Sequence, residues 1–566
     1  MLNPVSLEAP PVAAAPLTVS TALVEALVRL GVTHAFGVMG GAIAPFFHAV
    51  AHSAMTALHL RHESGATFAA VEASLASRRP VLVFTTAGPG LTNAVTGLLA
   101  ARWEGAHVIL VSAATSAVNR GRIATQETIA PLDGLLAGAG GGHLAVTIEH
   151  PRQVPQVMSQ LAIGLARPGG FVAHLSLPID VQGAPCPRLA PPLVGDGLAP
   201  RCAPTTVAGH AARFAAEPPV VWLGFGARHA AAPIRALVER LGARVMCSPR
   251  AKGIFPEDHP RYLGVTGVGG HARVGEALAA ARPRHILVLG TRLGESTSFW
   301  SDELTPRDSF IHVDVDAAVF GRAYPHVATE PVLAELGAYC AGLLAALGPA
   351  PDVAASVVRP SLRAAPRPRP SGPVRPQHLI DELQRVVVDG SDAWLMAESG
   401  NAFCWANHYL RVPAPGRYRV STGWGSMGHA ATGVVGAALA RGGKAVALLG
   451  DGAMLMQNEL HAAVQHRADA LWVILNDASY LMCAQGMRVM GWEPFSCELP
   501  PVDFAALARA VGAGGEVVTT EAELGPALER AMAARGPWVL DVAIDARELP
   551  PSGARNKSLM QQGYKS

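Results

Sequence analysis

Charged residues, cysteine pairs and unbroken apolar runs are all scarce in this chain. Only 16% of its 566 residues are charged, and 45 basic against 43 acidic side chains leave a net charge of +2. So small an excess offers no electrostatic footprint for nucleic acid or an anionic membrane surface. The seven cysteines (186, 202, 247, 340, 404, 483 and 497) form no C-x-x-C pair and no zinc-ligand spacing. An odd, scattered set of this kind reads as reduced thiols in a cytoplasmic protein. Cys404 and Cys483 are expected to be small buried hydrophobes. The opening MLNPVSLEAPPVAAAPLT has neither the basic stretch nor the apolar core of a signal peptide, and reads as a loose arm. Apolar stretches such as Ala430–Leu449 are interrupted by Arg441, Gly442, Gly443 and Lys444, so no membrane span is expected.

What is present is a hydrophobic half of the sequence, too long for a single core. Two proline-rich stretches, about 182–204 and 349–376, divide the chain. They delimit blocks at 17–185, 205–348 and 374–546, followed by a tail at 547–566. Inside each block, short apolar runs alternate with alanine- and leucine-rich helical segments. Val81–Thr85, Val108–Ser112 and Phe171–Leu177 read as buried strands of the first block. Val220–Gly224, Arg244–Cys247, His285–Leu289 and Phe310–Val313 do so in the second. Ala393–Met396, Ala445–Leu449, Leu471–Leu475 and Trp538–Val542 do so in the third. Continuous apolar strands alternating with helices predict α/β architecture: three successive doubly wound parallel sheets. In such sheets, ligands sit where loops leave the carboxyl ends of strands.

The third block carries the densest pattern, KAVALLGDGAMLMQNELHAAVQHRADALWVILNDASY. A buried strand runs into Gly450-Asp451-Gly452, then into a helix with apolar face Met454, Leu455, Leu460 and Val464. A second strand delivers Asn476-Asp477 at the same sheet edge. Paired acidic oxygens beside a helix start suit a hard cation that bridges to phosphate. Glycines on both sides of Asp451 let backbone approach the anion.

This segment resembles the cofactor motif of thiamine-diphosphate enzymes, which opens on GDG and closes on paired asparagines. The resemblance implies that Asp451 and Asp477 are side-chain ligands of Mg2+ and that Ser479 adds a backbone carbonyl. It departs from the family at Asp477, where a second asparagine is usual. In the first block, LHLRHESGATFAAVEASLASRRPVLVFTTAGPGLTN resembles the family's pyrimidine-binding domain. Glu63 then takes the position of the glutamate that protonates the aminopyrimidine ring and so promotes loss of the thiazolium proton. VSTGWGSMGHAATGVVGAAL resembles the G-x-G-x-M-G-x-G segment. That makes Gly425 a carbonyl contact to the pyrimidine and Met427 the residue that bends the cofactor. Gly400 and Asn401 resemble a diphosphate-contacting loop, as Gly450, Gly452 and Ala453 do at the GDG turn. The second block resembles the family's central domain. Its Gly224-x-Gly226 lacks the third glycine of a dinucleotide fingerprint, and GVTGVGGHAR and TRLGESTSF match flavin-binding stretches poorly, so FAD is not expected.

Similarity is greatest to the acetohydroxyacid synthase branch, through Gly40-Gly41 and Gln126-Glu127-Thr128. It implies carboligation, in which a 2-oxo acid donor loses CO₂ and the resulting enamine attacks a carbonyl acceptor. Gln126, His429 and Gln485 are candidate substrate contacts, and Gly486 stands where that branch carries an acceptor-selecting tryptophan. Three alternatives stay open: a non-oxidative decarboxylase that releases aldehyde, a flavin oxidase, and a non-catalytic thiamine-diphosphate- or nucleotide-binding protein. A homodimer or homotetramer is implied, because family sites combine block one of one subunit with block three of another. The tail bearing Arg555, Lys557 and Lys565 reads either as a cover for the site or as a solvated end.

Overall fold

The computed structural model of the chain describes residues 17–127, 136, 142–189, 198–348 and 367–562. The amino-terminal arm, Thr128, Lys565 and parts of both proline-rich stretches (190–197 and 349–366) lie outside the described residues. Among the described residues, eighteen strands form three sheets of six, all parallel. The first holds β1 (His34–Gly37), β2 (Thr56–His59), β3 (Val81–Thr85), β4 (His107–Ala114), β5 (Leu144–Thr147) and β6 (Phe171–Pro178). The second holds β7 (Val220–Leu223), β8 (Arg244–Cys247), β9 (Tyr262–Val265), β10 (His285–Leu289), β11 (Ser309–Asp314) and β12 (Thr329–Leu333). The third holds β13 (Trp394–Ala397), β14 (Tyr418–Val420), β15 (Ala445–Gly450), β16 (Ala470–Asn476), β17 (Gly514–Val518) and β18 (Trp538–Ala543). Three doubly wound parallel sheets are the architecture expected of the sequence.

The strand orders are β2-β1-β3-β4-β6-β5, β12-β11-β10-β7-β8-β9 and β14-β13-β15-β16-β18-β17. Counted from each sheet's own first strand, the outer two sheets share one order, and the middle sheet has the order of a dinucleotide-type fold. In the outer sheets the order reverses between the first and third strands. Loops leaving those strands diverge there and open a crevice. In the third sheet the crevice lies between the ends of β13 and β15, where Glu398–Asn401 and Gly450–Gly452 emerge.

One helix pair joins the outer blocks. Glu63–Ser77 starts at His62, whose ring accepts the Ser64 N–H, and stops at Arg78 with φ +58°. It packs against His429–Arg441, where Gly436 lets the two backbones meet and Gly433 leaves room for the Glu72 side chain. A Cβ added to Gly436 would lie 1.9 Å from the Ala69 carbonyl oxygen. The single helix expected after Gly452 is two, Asp451–Met456 and Leu460–His466. Leu455, expected on its apolar face, is 44% exposed. The interruption at Gln457–Glu459 turns polar groups toward block one: Gln457 Nε2 donates to Ser64 Oγ, and Glu459 accepts the Arg61 and His62 N–H groups.

Candidate active site

At the third-sheet crevice, β15 delivers Asp451 as the first residue of its helix, only 4% exposed. Its Oδ1 accepts the Gly452 N–H at 2.7 Å, and its Oδ2 accepts the Ser479 N–H at 3.1 Å. Ser479 Oγ donates to Asp477 Oδ1 at 2.6 Å, so one serine ties the two carboxylates together. Burial, reinforced by the neighbouring Asp451 charge, pushes the Asp477 carboxyl up to about 7, and burial raises Asp451 as well. Two acids that resist ionising side by side are a donor pair for a hard cation. Among the described residues no three His, Cys, Asp or Glu side chains converge as a metal cluster. Ala478, between Asp477 and Ser479, has φ +52° and bends the chain across the helix start.

The glycines around this pair differ in what they face. Gly400 (φ +122°) and Gly425 (φ +70°) would meet nothing within 4 Å with a Cβ added, and the same holds for Gly450. They leave an open cradle along the crevice. Gly452 is closed: its Cβ would fall 2.6 Å from Tyr480 Cε1 and 3.6 Å from Met427 Cε. Met427 therefore leans over the Gly450–Ala453 turn. Asn401 Nδ2 donates to Gln485 Oε1 at 3.0 Å, while Asn401 Oδ1 and Gln485 Nε2 are buried and have no partner. The open cradle of glycines beside the acid pair fits a diphosphate held through a divalent cation.

The block-one residues collect at the corresponding crevice of the first sheet. Glu63 opens its helix, 8% exposed, and accepts from Asn93 Nδ2 at 3.1 Å. Gly90 has to be a glycine here, since its Cβ would lie 2.9 Å from Thr86 Cγ2 and 3.5 Å from Glu63 Oε1. Gly88 (φ +58°) packs on the Gln126 backbone, and Thr86 Oγ1 donates to Gln126 Oε1 at 3.3 Å. Gln126 is thus gathered into the Glu63 loop cluster. No hydrogen bond joins Glu63 to block three among the described residues.

His429 requires a correction. It is 1% exposed, its Nε2 lies 2.8 Å from Glu72 Oε1, and its ring packs on Phe68 at 4.9 Å. A side chain held in this way does not reach substrate; it anchors the helix that follows Met427. Cys483 is exposed rather than buried, whereas Cys404 is buried as expected. The tail reading as a solvated end also gives way, because Gly553–Gln561 is a helix docked by Lys557 on Glu303 and Gln562 on Glu295. Glu398 opens the loop that resembles a diphosphate contact, but its carboxylate turns to another part of the site. Its Oε2 accepts the Ala430 and Ala431 N–H groups, fixing the Met427 loop from the β13 side.

With this geometry in view, the comparisons are specific. Residues 17–134 match the thiamine pyrophosphate enzyme N-terminal TPP binding domain, 214–343 its central domain and 398–542 its C-terminal TPP binding domain. The Mycobacterium tuberculosis protein named "Putative acetolactate synthase large subunit IlvB2" is 31% identical over 509 residues, 86% of this chain and 90% of the relative. The large subunit of Escherichia coli acetolactate synthase isozyme 1 is 27% identical over 560 residues, 95% of this chain and 96% of its own length. In structure, the Rhodococcus jostii thiamine diphosphate-dependent 4-hydroxybenzoylformate decarboxylase superposes with a TM-score of 0.81. That match covers 94% of this chain and 99% of the other at 22% identity, a likeness of fold. The chain belongs to the thiamine pyrophosphate enzyme family, on the side of it populated by acetolactate synthase large subunits.

Proposed function

We propose that the chain is a carboligase that decarboxylates a pyruvate-like 2-oxo acid and joins the remaining fragment to a carbonyl acceptor. The observation that carries this reading is the Asp451–Ser479–Asp477 constellation, with Asp451 buried, beside the open Gly400, Gly425 and Gly450. Thiamine diphosphate, when bound, supplies the carbanion-stabilising chemistry. Asp451, Asp477 and the Ser479 carbonyl would hold Mg2+. Gly400, Asn401, Gly450, Gly452 and Ala453 would receive the diphosphate. Gly425 and Met427 would seat the pyrimidine, and Glu63 would hold the proton exchanged with that ring. Gln126 would face substrate. FAD has no part in the proposal.

Glu63 would serve a site completed by a second copy of the chain, in a homodimer or homotetramer. Exposed apolar residues at both crevices support this: Met39, Val118 and Ile123 in block one, and Trp424, Met456 and Phe495 in block three. Among the described residues no helix is long and apolar enough to cross a membrane. The acetolactate synthase relatives favour carboligation, and the fold neighbour's title supplies the second reading, release of aldehyde. Incubation with Mg2+, thiamine diphosphate and a panel of 2-oxo acids, followed by mass spectrometry of products, separates them. Acyloins or 2-hydroxy-3-oxo acids are the expected products. Aldehyde alone would overturn the carboligase reading.

A further inference from the structure

The carboxy-terminal helix Gly553–Gln561 lies across two domains. Lys557 Nζ pairs with Glu303 Oε1 at 3.0 Å, and Gln562 Nε2 donates to Glu295 Oε1 at 2.7 Å, both in the middle domain. These links hold the helix against Leu481–Val489, the helix that follows the Asp477 loop. The contact is made where Gly486 is buried without a side chain: a Cβ there would lie 3.8 Å from Arg555 Nη1. Arg555 itself makes no hydrogen bond or ion pair with any described residue, in contrast to its neighbours on the same helix. Its charge is felt at Cys404, where it opposes the upward push of burial on the thiol. One residue before Gly486, the buried Gln485 Nε2 is a second donor without an acceptor.

The buried Gln485 amide donor lacks an acceptor, and the half-buried Arg555 guanidinium beside Gly486 has no partner among the described residues, so an anionic ligand reaching this helix would satisfy both. The planar fork of arginine matches a carboxylate in bidentate fashion. Gly486 is the complement, since any large side chain there would occupy the space Arg555 fills. We propose that Arg555, with Gln485 Nε2, binds the carboxylate of a 2-oxo acid substrate, and that the Gly486–Arg555 pair makes this chain selective for an acid. The assignment deepens the carboligase reading and rests on it.

The test uses full-length protein loaded with Mg2+ and thiamine diphosphate, comparing wild type with Arg555→Gln, Arg555→Lys and Gly486→Trp. The first readout is binding of oxamate, a carboxylate that resembles pyruvate and cannot be decarboxylated, by calorimetry. Arg555→Gln should weaken it by about tenfold to a hundredfold, with Arg555→Lys in between, while affinity for thiamine diphosphate stays unchanged. The second readout is KM with an aldehyde or a 2-oxo acid as acceptor. Arg555 on the donor raises the donor KM with either acceptor; Arg555 on the acceptor raises only that of the acid. Gly486→Trp should reproduce the Arg555→Gln phenotype by displacing the guanidinium. Unchanged oxamate affinity and unchanged KM values in Arg555→Gln overturn the assignment. So does an equal loss with acid and aldehyde acceptors at constant donor KM, which marks a structural role. If wild type turns over no 2-oxo acid yet binds oxamate through Arg555, the carboligase reading falls and the anion site stands.

Discussion

Replacing Gly436 with alanine tests the contact on which the two outer domains are registered. The added Cβ would stand 1.9 Å from the Ala69 carbonyl oxygen, 2.5 Å from its carbon and 2.7 Å from the Ala69 Cα. All three atoms are backbone, so no rotamer change relieves the clash, and the two helices must part by roughly 1.5 Å to restore ordinary contact. Overpacking of this kind costs about 1–3 kcal/mol. Parting also stretches the Glu72–His429 contact at 2.8 Å and the Glu72–Arg419 hydrogen bond at 2.9 Å. A buried hydrogen bond left open adds roughly 1–3 kcal/mol, so a total on the order of 3 kcal/mol is expected. A domain of about 150 residues loses roughly 2–4 °C of melting temperature per kcal/mol, which puts the first thermal transition some 6–12 °C lower. The control is Gly209→Ala. Gly209 lies on the exposed face of the helix Pro204–Ala216 with nothing within 4 Å of an added Cβ. There the same substitution should stabilise by about 0.5–1 kcal/mol through helix propensity alone. Differential scanning calorimetry on both variants reads the two signs directly. Since a chain of several domains does not unfold in one step, the first transition is the quantity to compare. A Gly436→Ala protein melting within about 1 °C of wild type would refute the backbone contact.

Three further outcomes are expected. Asp451→Asn should weaken thiamine diphosphate binding at fixed Mg2+ by at least roughly tenfold and shift the Mg2+ titration upward; an unchanged titration excludes Asp451 as a ligand. Glu63→Gln should lower turnover by about 10²–10⁴-fold with the melting temperature kept, and unaltered turnover would remove Glu63 from the mechanism. The acid limb of stability should carry the signature of Glu521, which burial would raise but Arg375, at 2.6 Å, holds down to about 2 against a usual 4.5. Because the folded-state value is depressed, its contribution is complete above the unfolded value and is lost as pH falls from there toward 2. Glu521→Gln should therefore flatten an acid-unfolding curve between about pH 5 and pH 2, and a curve parallel to wild type would contradict the pairing.

The strands legible in the sequence are those buried on both faces. Val81–Thr85 and His285–Leu289 form as expected because Val81–Phe84 and Ile286–Leu289 are continuous apolar runs, buried throughout. The strands missed are mostly edges: β2, β5, β12 and β17 are partly exposed along their length and carry no continuous run. The shared order of the first and third sheets was invisible, because strand order is a tertiary property with no local pattern behind it. The motif residues were legible for the opposite reason: Asp451, Ser479 and Asp477 are brought together by two neighbouring strands and the short helical crossover between them. His429 was misjudged because its partner, Glu72, comes from another domain and nothing near position 429 announces it. The last helix escaped notice since it buries only Ser558 and docks through polar links.

The misjudged histidine belongs to a node that explains how three domains come to share one geometry. Arg419, 1% exposed, donates to Glu72 and to Glu104, and Glu104 also pairs with Arg250 of the middle domain at 2.8 Å. Arg228 and Arg250 lie 4.2 Å from the Phe225 ring centroid and Arg419 4.9 Å from it. Three guanidiniums thus meet two carboxylates and one aromatic ring. Burial, with mutual repulsion, lowers Arg228 to about 10 and Arg250 to about 9, while the aromatic face takes up part of the excess charge. Burial would raise Glu72, but Arg419 and His429 pull it down to about 2, so the carboxylate stays ionised where it is. Buried ion pairs add little net stability once desolvation is counted, yet breaking one leaves a stranded charge. Such a node therefore penalises every wrong juxtaposition of the domains more than it rewards the right one. Its carboxylate Glu72 sits on the same helix as Glu63, and its histidine opens the helix that follows Met427. A rigid helix passes the register of the node to Glu63 at one end, and His429 passes it to Met427. Residues that touch no substrate thereby set where the two halves of the site face.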